Sequence, residues 1–197
     1  TDKNSCMSRL LEIATDENKL DRTINDLKAL ELDYSADSLS QLSWVYTRMR
    51  QFDKAIETAE KGLALNPNNS RALSNTGMVL MMVGRCEEAI GLLDKALRIS
   101  PIPSVNILFV AALANFRCKQ YDECIALAQK ATELGPDSFL ANNALAKCYA
   151  MAGRLEEAKS TAAEVLRIFP KYTVKDASKK YADNDKAQEI AARGEQK

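Results

Sequence analysis

Residues 70–101 read SRALSNTGMVLMMVGRCEEAIGLLDKALRISP, and the reading of this stretch decides the fold. Leu73 and Leu80, then Ile90, Leu93 and Leu97, recur at helical spacing, which predicts two amphipathic helices joined at Gly84-Arg85. The small residues Gly77, Ala89 and Ala96 fall where two such helices would touch backbone to backbone. Pro101 closes the second helix, because proline cannot continue the hydrogen-bond ladder. One hairpin of this size cannot bury its own apolar faces, so it requires neighbours built the same way.

The sequence contains those neighbours. Ala55, Ala89, Cys124 and Ala158 follow one another at intervals of 34, 35 and 34 residues, and Pro67, Pro101, Pro136 and Pro170 keep the same intervals. Phe52-Asp53-Lys54-Ala55, Cys86-Glu87-Glu88-Ala89, Tyr121-Asp122-Glu123-Cys124 and Leu155-Glu156-Glu157-Ala158 are one motif written four times. In period and in its Ala, aromatic and Pro positions, the chain closely resembles the tetratricopeptide repeat family from about Ala36 to Pro170. The resemblance implies an all-α fold, a right-handed superhelical α-solenoid of helix hairpins.

Four repeats are expected over residues 36–69, 70–103, 104–138 and 139–172. The extra residue of the third lies in the Pro101-Ile102-Pro103 connection, since loops tolerate insertions that helices do not. Asp37 or Ser38 is the expected N-cap of the first repeat. Residues 1–35 read as a divergent helix pair, with Leu10, Leu11 and Ile13 in one helix and Ile24, Leu27, Leu30 and Leu32 in the next. Residues 173–197 read as a capping helix and tail, because the last repeat would otherwise expose its apolar side.

Composition narrows the function. Lys plus Arg and Asp plus Glu both number 27, so the chain lacks the clustered positive excess of a nucleic-acid binder. No apolar run suggests a membrane span. The chain begins at Thr1, which suggests a piece of a longer protein. Histidine is absent, and with it the commonest general base and metal ligand. The Glu87-Glu88 and Glu156-Glu157 pairs point about 100° apart on a helix, so they do not converge on one atom. Gly84-Arg85 and Gly153-Arg154 follow no strand and are turns rather than phosphate loops. No catalytic residue, metal site or cofactor is expected. Five cysteines form no CxxC pair, and Cys124 takes a position filled by alanine elsewhere. Reduced structural thiols and a cytoplasmic location are the expectation.

Function is expected on the concave side, which the family resemblance assigns to the first helix of each pair. Counting onto that surface gives Ser40, Trp44 and Thr47, then Arg71, Ser74, Met78 and Met81. The later repeats add Asn106, Phe109, Leu113 and Phe116, then Asn143, Lys147 and Ala150. The expected groove is apolar at its centre and polar at its edges, suited to an apolar or helical protein or peptide segment. Some relatives grip C-terminal carboxylates through Lys and Asn residues on first helices. Here Asn75 matches, but Ser40 and Trp44 stand at the first Lys and Asn positions, and Asn106 and Val110 replace the later basic pair. Without those cations a carboxylate loses its charge-assisted hydrogen bonds.

The expected function is therefore a non-enzymatic protein–protein interaction module or scaffold, with self-association through the end faces as a further route. Residues 100–174, with SPIPS and then GRLEEAKSTAAEVLRIFPKYTV, are also similar to repeat regions attached to bacterial class III nucleotide cyclases. That resemblance implies the alternative of a regulatory or sensory region in a larger signalling enzyme.

Overall fold

A computed structural model describes residues 35–170. The divergent helix pair expected before them and the capping helix expected after them lie outside the described residues. Among the described residues there are eight α-helices and no strand: α1 (Ala36–Arg48), α2 (Phe52–Leu65), α3 (Ser70–Met82), α4 (Cys86–Ile99), α5 (Val105–Arg117), α6 (Tyr121–Leu134), α7 (Phe139–Met151) and α8 (Leu155–Ile168). They pair as hairpins, α1 with α2, α3 with α4, α5 with α6 and α7 with α8.

The two helices of each hairpin start by different chemistry. Ser35, Asn69, Ser104 and Ser138 cap α1, α3, α5 and α7, each side chain accepting from the backbone N–H three residues on. The cap of α1 is thus Ser35, not Asp37 or Ser38, because the helix already begins at Ala36. Ser38 instead donates its backbone N–H to Ser35 Oγ at 3.1 Å. The second helices have no side-chain cap at Gln51, Arg85, Gln120 or Arg154. Their first turns carry Asp53, Glu87 and Glu88, Asp122 and Glu123, and Glu156 and Glu157. These carboxylates face the positive end of the helix dipole, which accounts for the recurring acidic motif. Within each hairpin the chain turns through a left-handed residue: Arg50, Gly84, Lys119 and Gly153 have φ of 59°, 88°, 61° and 77°.

Hairpins close on their small residues. Ala55, Ala89 and Cys124 are fully buried, and Ala158 nearly so. Leu93 is fully buried, in a core that runs from Leu80 to Ala158. A leucine buried in this way contributes roughly 1.5–3 kcal/mol. Successive hairpins stack because each first helix packs on the next first helix, and each second helix packs on the first helix that follows. The row α1, α3, α5 and α7 is therefore the tighter side of the array. No described helix is long and apolar enough to cross a membrane.

Candidate functional site

The repeat period brings three positions of each first helix into three parallel lines. The middle line holds Trp44, Met78, Leu113 and Lys147, and all four are half-buried. One flanking line holds Ser40, Ser74, Phe109 and Asn143, and the other Thr47, Met81, Phe116 and Ala150. Burial along the two flanks falls from the first repeats to the last. Ser40, Ser74, Thr47 and Met81 are buried, whereas Phe109, Asn143 and Phe116 are half-buried and Ala150 is exposed.

This gradient changes the expected groove. Ser74 and Met81 are only 1% and 3% exposed, so neither presents a face to a partner. Packing of each first helix on the next consumes one of the faces counted toward the groove. Ser40 shows how: its Oγ accepts a hydrogen bond from Asn75 Nδ2, which ties α1 to α3. Thr47 turns inward too, donating from Oγ1 to the Ser43 carbonyl at 2.8 Å. Met81 joins the main core. Ser74 Oγ is buried without a hydrogen-bond partner among the protein atoms.

The remaining expected residues form the open surface. Met78, Phe109, Leu113 and Phe116 rest on the core from outside and keep part of their area in solvent. Phe116 also meets Tyr121 edge to face, with ring centroids 6.1 Å apart, which fixes its ring at the end of α5. Arg71 and Asn106 are exposed on the rim, and Asn143 and Lys147 are half-buried at the far end. Half-buried apolar side chains thus run in single file at Trp44 and Met78 and spread over Phe109, Leu113 and Phe116.

Several charges elsewhere pair within their own helix turn and are exposed. The Arg85 guanidinium holds the Glu88 carboxyl below its usual range through a hydrogen bond, and Arg154 does the same for Glu157. A surface cleft lined by Lys119 to Glu123, Met151 and Ala152 lies between the start of α6 and the end of α7. No group of three or more metal-ligating side chains occurs among the described residues.

Sequence reasoning missed the cysteines. Cys124 on α6 and Cys148 on α7 are joined by a disulfide, with Cα atoms 5.8 Å apart, so the expectation of reduced thiols throughout is corrected. The signal was present: both lie on helices that face each other across a repeat boundary. The alanine pattern at the Cys124 position hid it, because a buried cysteine also reads as a small apolar residue. Cys86 and Cys118 remain thiols, both half-buried.

Comparison with known proteins agrees with this architecture. The family model for anaphase-promoting complex, cyclosome, subunit 3 matches residues 48–131, and a tetratricopeptide repeat model matches residues 115–178. The TPR repeat-containing protein YpiA of Bacillus subtilis (strain 168) is 26% identical over 140 residues, which are 71% of this chain. The match spans 33% of that relative, about a third of its length. Among solved structures, MamA from Desulfovibrio magneticus RS-1 aligns with a TM-score of 0.64 at 19% identity, covering 83% of this chain and 91% of that one. A second MamA structure, AMB-1, gives 0.62 at 23% identity over 82% and 96%. The likeness of these structures is one of fold. In fold, this chain is an all-α solenoid of tetratricopeptide-repeat hairpins.

Proposed function

We propose that the chain is a protein–protein interaction module that holds a partner segment along the line Trp44, Met78 and Leu113. The observation that carries this reading is the middle line itself. It stays half-open in every repeat and is apolar in three of the four. Met78 and Leu113 are backed by the packed core and already positioned, so binding there costs little ordering entropy. Phe109 and Phe116 broaden the contact on either side of Leu113, and Met78 adapts to varied shapes. The occupant is an apolar or helical segment, with Arg71, Asn106, Asn143 and Lys147 setting register at the polar rim. The four repeats over residues 36–172 act as one scaffold with no catalytic step. The sequence order of residues 100–174 supports the alternative of a regulatory region in a larger signalling enzyme such as a nucleotide cyclase.

A cytoplasmic setting fits this reading provided that the Cys124–Cys148 bond withstands reduction. Its burial favours that, since an attacking thiolate must first reach the sulfur.

Trp44 is the single tryptophan, so the chain carries its own probe. Peptides selected from a display library against the wild-type chain should shift Trp44 fluorescence on binding. Trp44→Ala with Phe109→Ala should weaken those peptides at least tenfold while circular dichroism stays helical. Unchanged affinity in the double variant would sink the proposal.

A further inference from the structure

The two rows of helices differ in charge. The second helices, α2, α4, α6 and α8, carry twelve acidic and seven basic side chains, a net charge of −5. The first helices, α1, α3, α5 and α7, carry one acidic and four basic side chains, a net charge of +3. Their one carboxylate is Asp37 on α1, which accepts from Asn69 Nδ2 at 3.0 Å. The helix dipole does not account for this partition. It favours carboxylates in the first turn of any helix, yet the first turns of α3, α5 and α7 hold none. On the second helices the cations meet carboxylates of their own row: Lys61 pairs with Glu57, Lys159 with Glu156 and Arg167 with Glu164. The cations of α3, α5 and α7 are Arg71, Arg117 and Lys147, and all three stand beside the half-open apolar line. Arg71 precedes Met78 by seven residues, two turns along the same side of α3. Arg117 follows Leu113 by four, one turn further along α5, and Lys147 takes the register position of Leu113 on α7. Arg71 is exposed, whereas Arg117 and Lys147 are half-buried.

We propose that the occupant of this face is an acidic amphipathic segment of a partner protein. It is apolar where it meets Met78, Phe109 and Leu113, and it carries carboxylates where it meets Arg71, Arg117 and Lys147. This deepens the interaction reading above and rests on it. Charge complementarity decides the occupant. Half-buried cations are screened less than exposed ones, so their field discriminates between partners of opposite sign. Arg117 offers a planar fork that takes a carboxylate through two parallel hydrogen bonds. A basic segment meets three like charges and no carboxylate on α3, α5 or α7, which repels it. The acidic row of second helices turns an acidic segment away and steers it to the first-helix side. The carboxylates required are side chains within the segment, not a chain terminus, because Asn106 and Val110 lack the cations that grip a terminal carboxylate. Nucleic acid fits this face less well. Three cations set among apolar side chains do not form the dense track that successive phosphates need, and the 27 basic residues of the chain are matched by 27 acidic ones.

The test selects peptides on the wild-type chain from a display library that offers Asp, Glu, Lys and Arg equally. The recovered pool should be rich in Asp and Glu next to apolar residues. One recovered peptide, synthesised with an amidated C terminus, should bind about tenfold more tightly than the same peptide with glutamine at its acidic positions. That difference should shrink as salt rises. Arg117→Gln with Lys147→Gln should abolish the difference and leave affinity for the glutamine peptide within about twofold. Arg71→Gln, at an exposed position, should reduce the difference in part and supplies the comparison if the double variant does not fold. A neutral or basic pool whose binding is still lost in Phe109→Ala would overturn the acidic chemistry and leave the apolar docking surface standing. A pool indifferent to Phe109→Ala would overturn that surface and this inference together. A single-stranded DNA oligonucleotide that displaced the acidic peptide at physiological salt would make the face a phosphate-binding surface, and the proposal would fall.

Discussion

Gly77 on α3 lies so close to Leu93 on α4 that a β-carbon built on it stands 2.9 Å from Leu93 Cγ and 3.3 Å from the Ala89 carbonyl oxygen. Leu93 is fully buried and has no free space to swing into. Gly77→Leu should therefore cost roughly 1–3 kcal/mol through overpacking. Ala89→Leu, at the other side of the same crossing, should cost a similar amount. Gly91, also on α4, has nothing within 4 Å of a built β-carbon. Gly91→Ala should stabilise by up to about 1 kcal/mol, the helix-propensity difference. Urea melts of the variants check both signs, and equal effects at Gly77 and Gly91 would show that the crossing is not tight.

The turn inside each hairpin makes an independent test. Lys119 has φ of 61° where the fourth repeat places Gly153 at 77°. An L side chain pays roughly 1–2 kcal/mol in this region, and nothing lies within 4 Å of a β-carbon at Gly153. Gly153→Ala should thus lose about 1 kcal/mol from backbone strain alone. Lys119→Gly should gain a smaller amount, because glycine also enlarges the entropy of the unfolded chain. Thermal melts in which both substitutions moved stability the same way would contradict this account.

Asn69 joins two repeats as well as capping a helix. Its Oδ1 accepts from the Ala72 N–H at 3.0 Å, and its Nδ2 donates to Asp37 Oδ1 at 3.0 Å. Asn69→Ala removes both bonds and should cost about 1–2 kcal/mol. Asn69→Asp keeps the cap but sets two carboxylates together, so its loss should grow as pH rises above the carboxylate range. A pH-independent loss would show that the Asp37 contact does not matter.

The fold was legible because its signals are short-range. A small residue every 34 or 35 positions marks a helix crossing. The serines and asparagine before the first helices carry their cap chemistry in the side chain. The burial of the candidate site residues was legible only in part, since counting along one helix shows which residues share a face and not which neighbour covers it. Trp44, Met78 and Leu113 sit on the line left half-open, while Ser74 and Met81 are buried. The disulfide was hidden for a related reason. Cys124 and Cys148 are 24 residues apart, and their meeting depends on how one hairpin stacks on the next.

That disulfide reverses the effect of reductant expected from the sequence. The structure predicts that full reduction of the chain lowers its stability by about 2–4 kcal/mol, the usual contribution of such a link. Cys148→Ala should reproduce the loss without reductant and should make the protein insensitive to dithiothreitol at this site. Guanidinium titrations with and without reductant check both statements. Identical curves would mean that the two sulfurs contribute as packed thiols only.

The trough itself separates residues by what they should change. Phe109→Ala removes a half-buried ring at the wide part of the surface, so it should mainly raise the dissociation rate, by tenfold or more. Arg71 is exposed on the rim, and Arg71→Ala should mainly alter the association rate and its dependence on salt. Met81 supplies the contrast. It stands on a groove line in the repeat register, yet it is buried in the core. Met81→Ala should cost roughly 2–5 kcal/mol of folding stability and leave the affinity of the folded protein for a selected peptide within about twofold. Stopped-flow binding and urea melts on the same three variants divide these outcomes. If Met81→Ala weakened binding as strongly as Phe109→Ala in protein that remained folded, the partner surface would reach beneath α5, and the single-file trough would be the wrong description.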